Sequence, residues 1–297
     1  MPAVIDVELA YREPMDAEGV VAYLSRRAIP GVEEIVDGAY RRSVRLPGGG
    51  GILELTPGDG RIRARYLLDR PEDEADAVGR SRLLFDLDTD PQPVFDALQG
   101  DPLIGPLIRA NPGRRVPGHV DPDEIAFRAV LGQQVSLSGA ATLAGRLVAE
   151  YGEPLRAPLG SVTHLFPRAG ALAEVDPDRL PMPAARARAL IGLAEALDEG
   201  RVKLGATVDR AEARERLLEL PGIGPWTADY VALRALRDPD AFLPSDLGLR
   251  RALEGLGLDG SPASAAKLGE SWRPYRAYAL MHLWATLAGQ SSSGRNP

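Results

Sequence analysis

Hydrophobic and polar positions alternate along the first third of the chain and recur at helical spacing along the rest. Residues 4–9 alternate one by one, as a strand with one buried face does, and residues 43–46, 52–56 and 61–67 are strand-like as well. The runs GGGG and PGDG between them suit hairpins. Residues 16–28 differ, because Val20, Val21 and Leu24 mark one face of a short helix. An α+β unit with an antiparallel sheet is therefore expected over residues 1–95. Pairs of the type DP, GP, NP and PG between residues 90 and 118 read as a segment that links two halves. Beyond it no strand is expected. Residues 122–151 read as one or two helices interrupted near Gly132 and Gly139, residues 183–199 as an alanine-rich helix, and residues 275–287 as the last helix. The tail SSSGRNP, residues 291–297, reads as disordered. The expected fold class is α+β: an antiparallel-sheet domain followed by an all-helical part over residues 96–290.

The densest chemistry lies in residues 217–253. A helical run stops at Pro221-Gly222, and a second helix can begin at Pro225, whose missing N–H costs nothing in a first turn. The turn Gly222-Ile223-Gly224 lets another backbone approach, and outward-facing amides at a helix start can hold a phosphate. An ordinary αα-hairpin with a glycine stop has the same local pattern. Trp226 and Tyr230, four apart, share a helix face, as a binding wall or as core packing. Asp246 follows Pro244 and Ser245 and precedes the helical run LGLRRAL. An aspartate there is either a helix-start charge or a functional carboxylate held by amides.

Composition narrows these choices. The 297 residues suffice for roughly two or three packed units. The chain has 44% hydrophobic and 26% charged residues, no apolar run of membrane-helix length and no basic or apolar leader, so a cytoplasmic protein is expected. It has no cysteine, which excludes disulfides, thiolate zinc sites and cysteine-ligated clusters. His119, His164 and His282 lack metal-ligand spacing and read as structural or surface residues. The net charge of −7 argues against a broad basic surface for nucleic acid, although amides and helix ends grip phosphate without formal charge. Lys203 and Lys267 are the only lysines.

The run LPGIGPWTADY, followed by FLPSD, resembles the helix-hairpin-helix DNA glycosylase superfamily. The segments SRLLFDLDTDP, VPGHVDPDEIAFRAVLGQQVS and WRPYRAYALMHLW are similar to its AlkA-type branch, the DNA-3-methyladenine glycosylases II. The resemblance covers most of the chain, from about residue 17 to about residue 289. It implies two helical subdomains around a cleft, with Asp246 as the catalytic carboxylate. It also implies a base pocket of Trp226, Tyr230 and Trp284, with Tyr23 from the first domain. The hairpin Gly222, Ile223, Gly224 and Thr227 would grip a phosphate, and Gln134 would fill the gap left by a flipped base. A sodium or potassium ion on the carbonyls of Leu218, Leu220 and Ile223 is implied in the same way, with no cofactor required for catalysis.

An electron-rich pocket suits a cationic alkylated purine, itself a good leaving group. Bifunctional members carry a lysine where Trp226 stands, so a monofunctional enzyme that leaves an abasic site is expected. Members of the endonuclease III and adenine-mismatch types carry a cluster that this cysteine-free chain cannot hold. Two departures bear on substrate range: Gln134 and Leu247 stand where the nearest pattern has leucine and tyrosine. The expected partner is duplex DNA with damaged bases, met by a monomer with no evident protein partner. The competing expectations are a binder of damaged DNA that cuts no bond and a glycosylase for deaminated or oxidised bases.

Overall fold

The computed structural model describes residues 2–293. Strands β1 (Ala3–Ala10), β2 (Glu33–Val36), β3 (Ala39–Leu46), β4 (Gly49–Gly58) and β5 (Arg61–Leu68) form one antiparallel sheet in the order β1-β5-β4-β3-β2. The first strand closes the sheet beside the last, with Ala3 opposite Leu68. The expected strands fall inside β1, β3, β4 and β5. The four-residue β2 escaped the alternation test because its EEIV sequence turns the charged Glu33 inward, where it is buried. Helix α1 (Ala17–Ser25) leaves β1 and is capped by Asp16, which accepts from the Gly19 amide at 2.8 Å.

Helices α2 (Glu74–Phe85), α3 (Pro91–Leu98) and α4 (Gly105–Ala110) follow the sheet. The segment expected as a linker therefore holds two helices. Its DP pair is a helix start rather than a break: Asp90 caps α3 and accepts from the Gln92 amide, with Pro91 in the first turn. Leu98, Ile104 and Ile108 from this segment share one buried core with Leu53 and Tyr66 of the sheet and with Trp272 and Leu283 near the C-terminal end.

The rest is mainly helical: α5 (Pro122–Leu131), α6 (Leu137–Tyr151), α7 (Ala169–Ala173), α8 (Ala184–Asp198), α9 (Arg210–Leu218), α10 (Pro225–Arg234), α11 (Leu247–Gly255), α12 (Pro262–Gly269) and α13 (Arg276–Ser293). The expectation of no strand after residue 118 is corrected by a hairpin, β6 (Glu153–Leu159) with β7 (Val162–Leu165). Pro154 and Pro158 disguise β6 as a loop, yet proline is tolerated on an edge strand. The hairpin docks on the first domain, where Gly31 O accepts from the Thr163 and His164 amides. The helical run of 122–151 breaks near Gly132, whereas Gly139 lies in the first turn of α6 under the Ser136 cap. Helix α13 continues to Ser293, so residues 291–293 are helical where a disordered tail was expected, and 294–297 lie outside the described residues. No helix among the described residues is long and apolar enough to cross a membrane.

A second core gathers Phe127, Leu190 and Val231 from α5, α8 and α10. Between this core and the sheet lies a buried ion network. Arg42 of β3 meets Glu124 of α5 at 2.6 Å, and Arg128 of α5 meets Glu124 at 2.9 Å and Glu33 of β2 at 3.0 Å. The same groups fix the loop after α1: Arg128 donates to the Arg27 carbonyl at 2.6 Å, and Glu33 accepts from the Ile29 amide at 2.8 Å. That loop and α1 carry one wall of the site described next.

Candidate active site

The site is built around the hairpin between α9 and α10. Ile223 plugs the turn into the second core beside Leu217. Gly222 adopts φ +85°, and a Cβ there would lie 2.6 Å from the Cβ of Ala189 on α8. Only glycine meets both demands. Gly224 is different: nothing lies within 4 Å of where its Cβ would be, so it faces open space. The amides of Gly222, Gly224 and Thr227 have no hydrogen-bond partner among the described residues, and they lead into the N-terminus of α10. Such a cluster of free donors at a helix start suits an anion.

Asp246 caps α11 and is 9% exposed. Its Oδ1 accepts from the Leu249 amide at 2.8 Å and from Trp284 Nε1 at 2.8 Å, and its Oδ2 accepts from Trp226 Nε1 at 3.0 Å. A carboxylate has about four lone-pair positions, so three N–H donors leave one, on Oδ2, for a further donor. A carboxylate held this way can face a developing positive charge or orient one water without rearranging.

The rings around it come from three helices. Trp226 and Tyr230 of α10 stack at 5.5 Å between centroids, and Tyr23 of α1 stacks with Trp284 of α13 at 6.5 Å. The four aromatic residues singled out from the sequence thus lie together, and two of them hold Asp246. Trp272 does not join them: it is buried against Phe242 and donates to Asp101 at 3.1 Å, as a core residue does.

Two arginines of this site were not singled out from the sequence. Arg27 lies with its guanidinium carbon 3.7 Å from the centre of the Tyr23 ring, and Arg234 donates from Nη1 to the Tyr23 hydroxyl at 2.9 Å and the Tyr230 hydroxyl at 3.3 Å. Their spacing carried the signal. Arg234 is four residues after Tyr230 and shares its face of α10, while Arg27, four after Tyr23, lies in the turn just beyond α1 and folds back to donate to the Tyr23 carbonyl at 3.1 Å.

Gln134 is exposed in the loop before α6 and adopts the left-handed φ of 55°. Its neighbour Gln133, also passed over in the sequence, donates to Gly222 O at 3.0 Å and to Thr227 Oγ1 at 2.9 Å. The loop carrying Gln134 is thereby tied to the hairpin. Leu247, next to Asp246, is 56% exposed. Lys203 and Lys267 are exposed, and His119 and His282 are buried while His164 is partly so. No group of three or more His, Cys, Asp or Glu among the described residues could hold a metal ion.

A five-stranded sheet beside a helical body, with a glycine hairpin and a carboxylate among aromatic rings, is the architecture of the helix-hairpin-helix DNA glycosylases. Among solved structures, the 3-methyladenine DNA-glycosylase from Archaeoglobus fulgidus shares this fold with a TM-score of 0.79 at 23% identity, over 97% of this chain and 99% of that one. Residues 6–121 match the family described as the AlkA N-terminal domain. The chain is 36% identical over 283 residues to DNA-3-methyladenine glycosylase 2 of Escherichia coli, over 94% of this chain and 96% of that protein. It is 47% identical over 283 residues to the probable bifunctional transcriptional activator/DNA repair enzyme AlkA of Mycobacterium tuberculosis, over 95% of this chain and 57% of that protein. The chain therefore spans little more than half the length of the mycobacterial relative. It belongs to the AlkA family of DNA-3-methyladenine glycosylases.

Proposed function

We propose that the chain is a monofunctional DNA glycosylase that removes alkylated bases, of the 3-methyladenine and 7-methylguanine type, from duplex DNA. The observation that carries this reading is the Asp246 carboxylate, held by two indole N–H groups and a helix-start amide among the aromatic rings. Breaking the C1′–N bond leaves positive charge on the sugar, and the preorganised carboxylate faces that charge or the water that ends it. The rings of Trp226, Tyr230 and Trp284, the last backed by Tyr23, suit a base that methylation has made cationic. Such a base leaves without a general acid.

The remaining roles follow from position. The free amides of Gly222, Gly224 and Thr227 would grip a backbone phosphate, with Ile223 anchoring the turn. Gln134, on the loop that Gln133 fastens to the hairpin, would enter the duplex as the target base is flipped out. We extend the proposal to a sodium or potassium ion on the carbonyls of Leu218, Leu220 and Ile223. Leu220 O accepts from the Ile223 amide, while those of Leu218 and Ile223 accept no hydrogen bond among the described residues, so lone pairs are available for an ion. Trp226 stands where a Schiff-base lysine would be needed, which supports hydrolysis without strand cleavage.

The reading is tested by incubating the chain with methylated duplex DNA. Free 3-methyladenine should appear, and strands should break only after alkali. Breaks at equal level without alkali would replace the monofunctional reading with a lyase, and tight binding of damaged duplex without base release would replace it with a binding protein.

A further inference from the structure

The wall of the aromatic pocket holds positive charge that no carboxylate balances. Arg234 is buried, and besides the two phenols it donates from Nη2 to the Gly118 carbonyl at 2.7 Å. Arg27 lies over Tyr23. Arg128 of α5 also faces Tyr230, but its charge is met by Glu33 and Glu124. Neither Arg27 nor Arg234 has a carboxylate partner among the described residues. Asp246 makes its contacts with the indoles of Trp226 and Trp284 and the Leu249 amide, not with these arginines. A buried cation without a counter-charge is costly, and the ionisable groups in contact with Arg234 are the hydroxyls of Tyr23 and Tyr230.

We propose that Tyr23 and Tyr230 lose one proton as a pair, placing a phenolate held by Arg234 in the pocket wall, and that this charge selects cationic bases over neutral ones. The second half rests on the glycosylase reading. The proton passes to solvent, which half-buried Tyr230 reaches, and the other proton stays on Tyr23, whose hydroxyl shares the Arg234 Nη1 donor with the Tyr230 oxygen. Burial raises both phenols. For Tyr230 the cations of Arg234, Arg27 and Arg128, with the Tyr23 hydroxyl, outweigh burial and bring it down to about 8, while Tyr23 stays above its ordinary value. A phenolate strengthens the negative face that a methylated purine cation meets, and has no charge–charge attraction for a neutral base. Tyr23 is thus a specificity-determining residue through its hydroxyl, which a phenylalanine would lack.

The test has two readouts on wild type, Tyr230→Phe and Tyr23→Phe. Tyrosinate absorbance of the free protein, titrated from neutral pH to ~10, should show one tyrosine ionising ahead of the others. That step should vanish in Tyr230→Phe and move to higher pH in Tyr23→Phe. Release of 3-methyladenine relative to hypoxanthine from duplex DNA, corrected for spontaneous loss, should rise several-fold over the same step in wild type and stay flat in Tyr230→Phe. An early step that is absent from wild type, or that survives in Tyr230→Phe, overturns the phenolate. An early step with a flat release ratio overturns its part in selection. Because absorbance is read without DNA, an intact step with no base release at any pH overturns the glycosylase reading and leaves the phenolate standing.

Discussion

Trp284 donates its indole N–H to Asp246 at 2.8 Å, and the contact depends on a glycine. A Cβ on Gly248 would lie 2.9 Å from Asp246 Oδ1 and 3.1 Å from Trp284 Nε1. Trp284→Phe keeps a ring against Tyr23 and removes the donor. A hydrogen bond to a charged group contributes about 1.5–3 kcal/mol, so single-turnover base release should fall ~10-fold or more. Gly248→Ala wedges the pair apart and should lower the rate in the same direction. Unchanged rates in both variants would remove the indole from the machinery.

The two hairpin glycines should separate stability from DNA binding. Gly222→Ala meets Ala189 and a left-handed backbone, so it should lower the urea midpoint. Gly224→Ala meets nothing within the protein, so its urea midpoint should stay near wild type. A methyl group on that open face stands where a phosphate would approach, and affinity for duplex DNA should drop. Equal DNA affinity in Gly224→Ala and wild type would move the phosphate grip elsewhere.

Acid should weaken the fold through its buried histidines. Burial pushes His119 down to about 4; burial, joined by the Arg114 cation, pushes His282 down to about 3. Below the ordinary value of 6.5 the unfolded chain takes up protons that these rings refuse, so stability falls as pH falls from 6.5 toward 4. Asp123 acts in the opposite direction, since burial and Asp121 push it up to about 6 and the folded state then takes up a proton first. Glu33 is held low by Arg128 and Arg42 against its burial, and costs stability only below its ordinary 4.5. The urea midpoint should therefore decline from pH 6.5 to 4.5, and more shallowly in His119→Gln/His282→Gln. An equal decline in that variant would place the proton uptake on other groups.

How far the sequence spoke depended on distance along the chain. Strands β1, β3, β4 and β5 were legible because alternation is local, and so were the hairpin and the start at Asp246, because Pro, Gly and a capping acid act within one turn. Helices α3 and α4 and strand β6 were hidden by the same prolines, whose effect at a helix start or sheet edge is decided by neighbours far away. Arg27 and Arg234 were hidden for a related reason. Each follows its tyrosine by four residues, yet only folding brings α1 against α10 and gives Arg234 both phenols.

The most direct test of the account is base release by Asp246→Asn. The amide keeps the size of the side chain and removes the charge, and its N–H₂ would meet an indole N–H that now finds an acceptor. With methylated duplex DNA, release of 3-methyladenine should fall on the order of 10²-fold or more, while binding to a damaged duplex persists. Release at the wild-type rate by the Asn variant would contradict the central claim that the carboxylate of Asp246 carries the reaction.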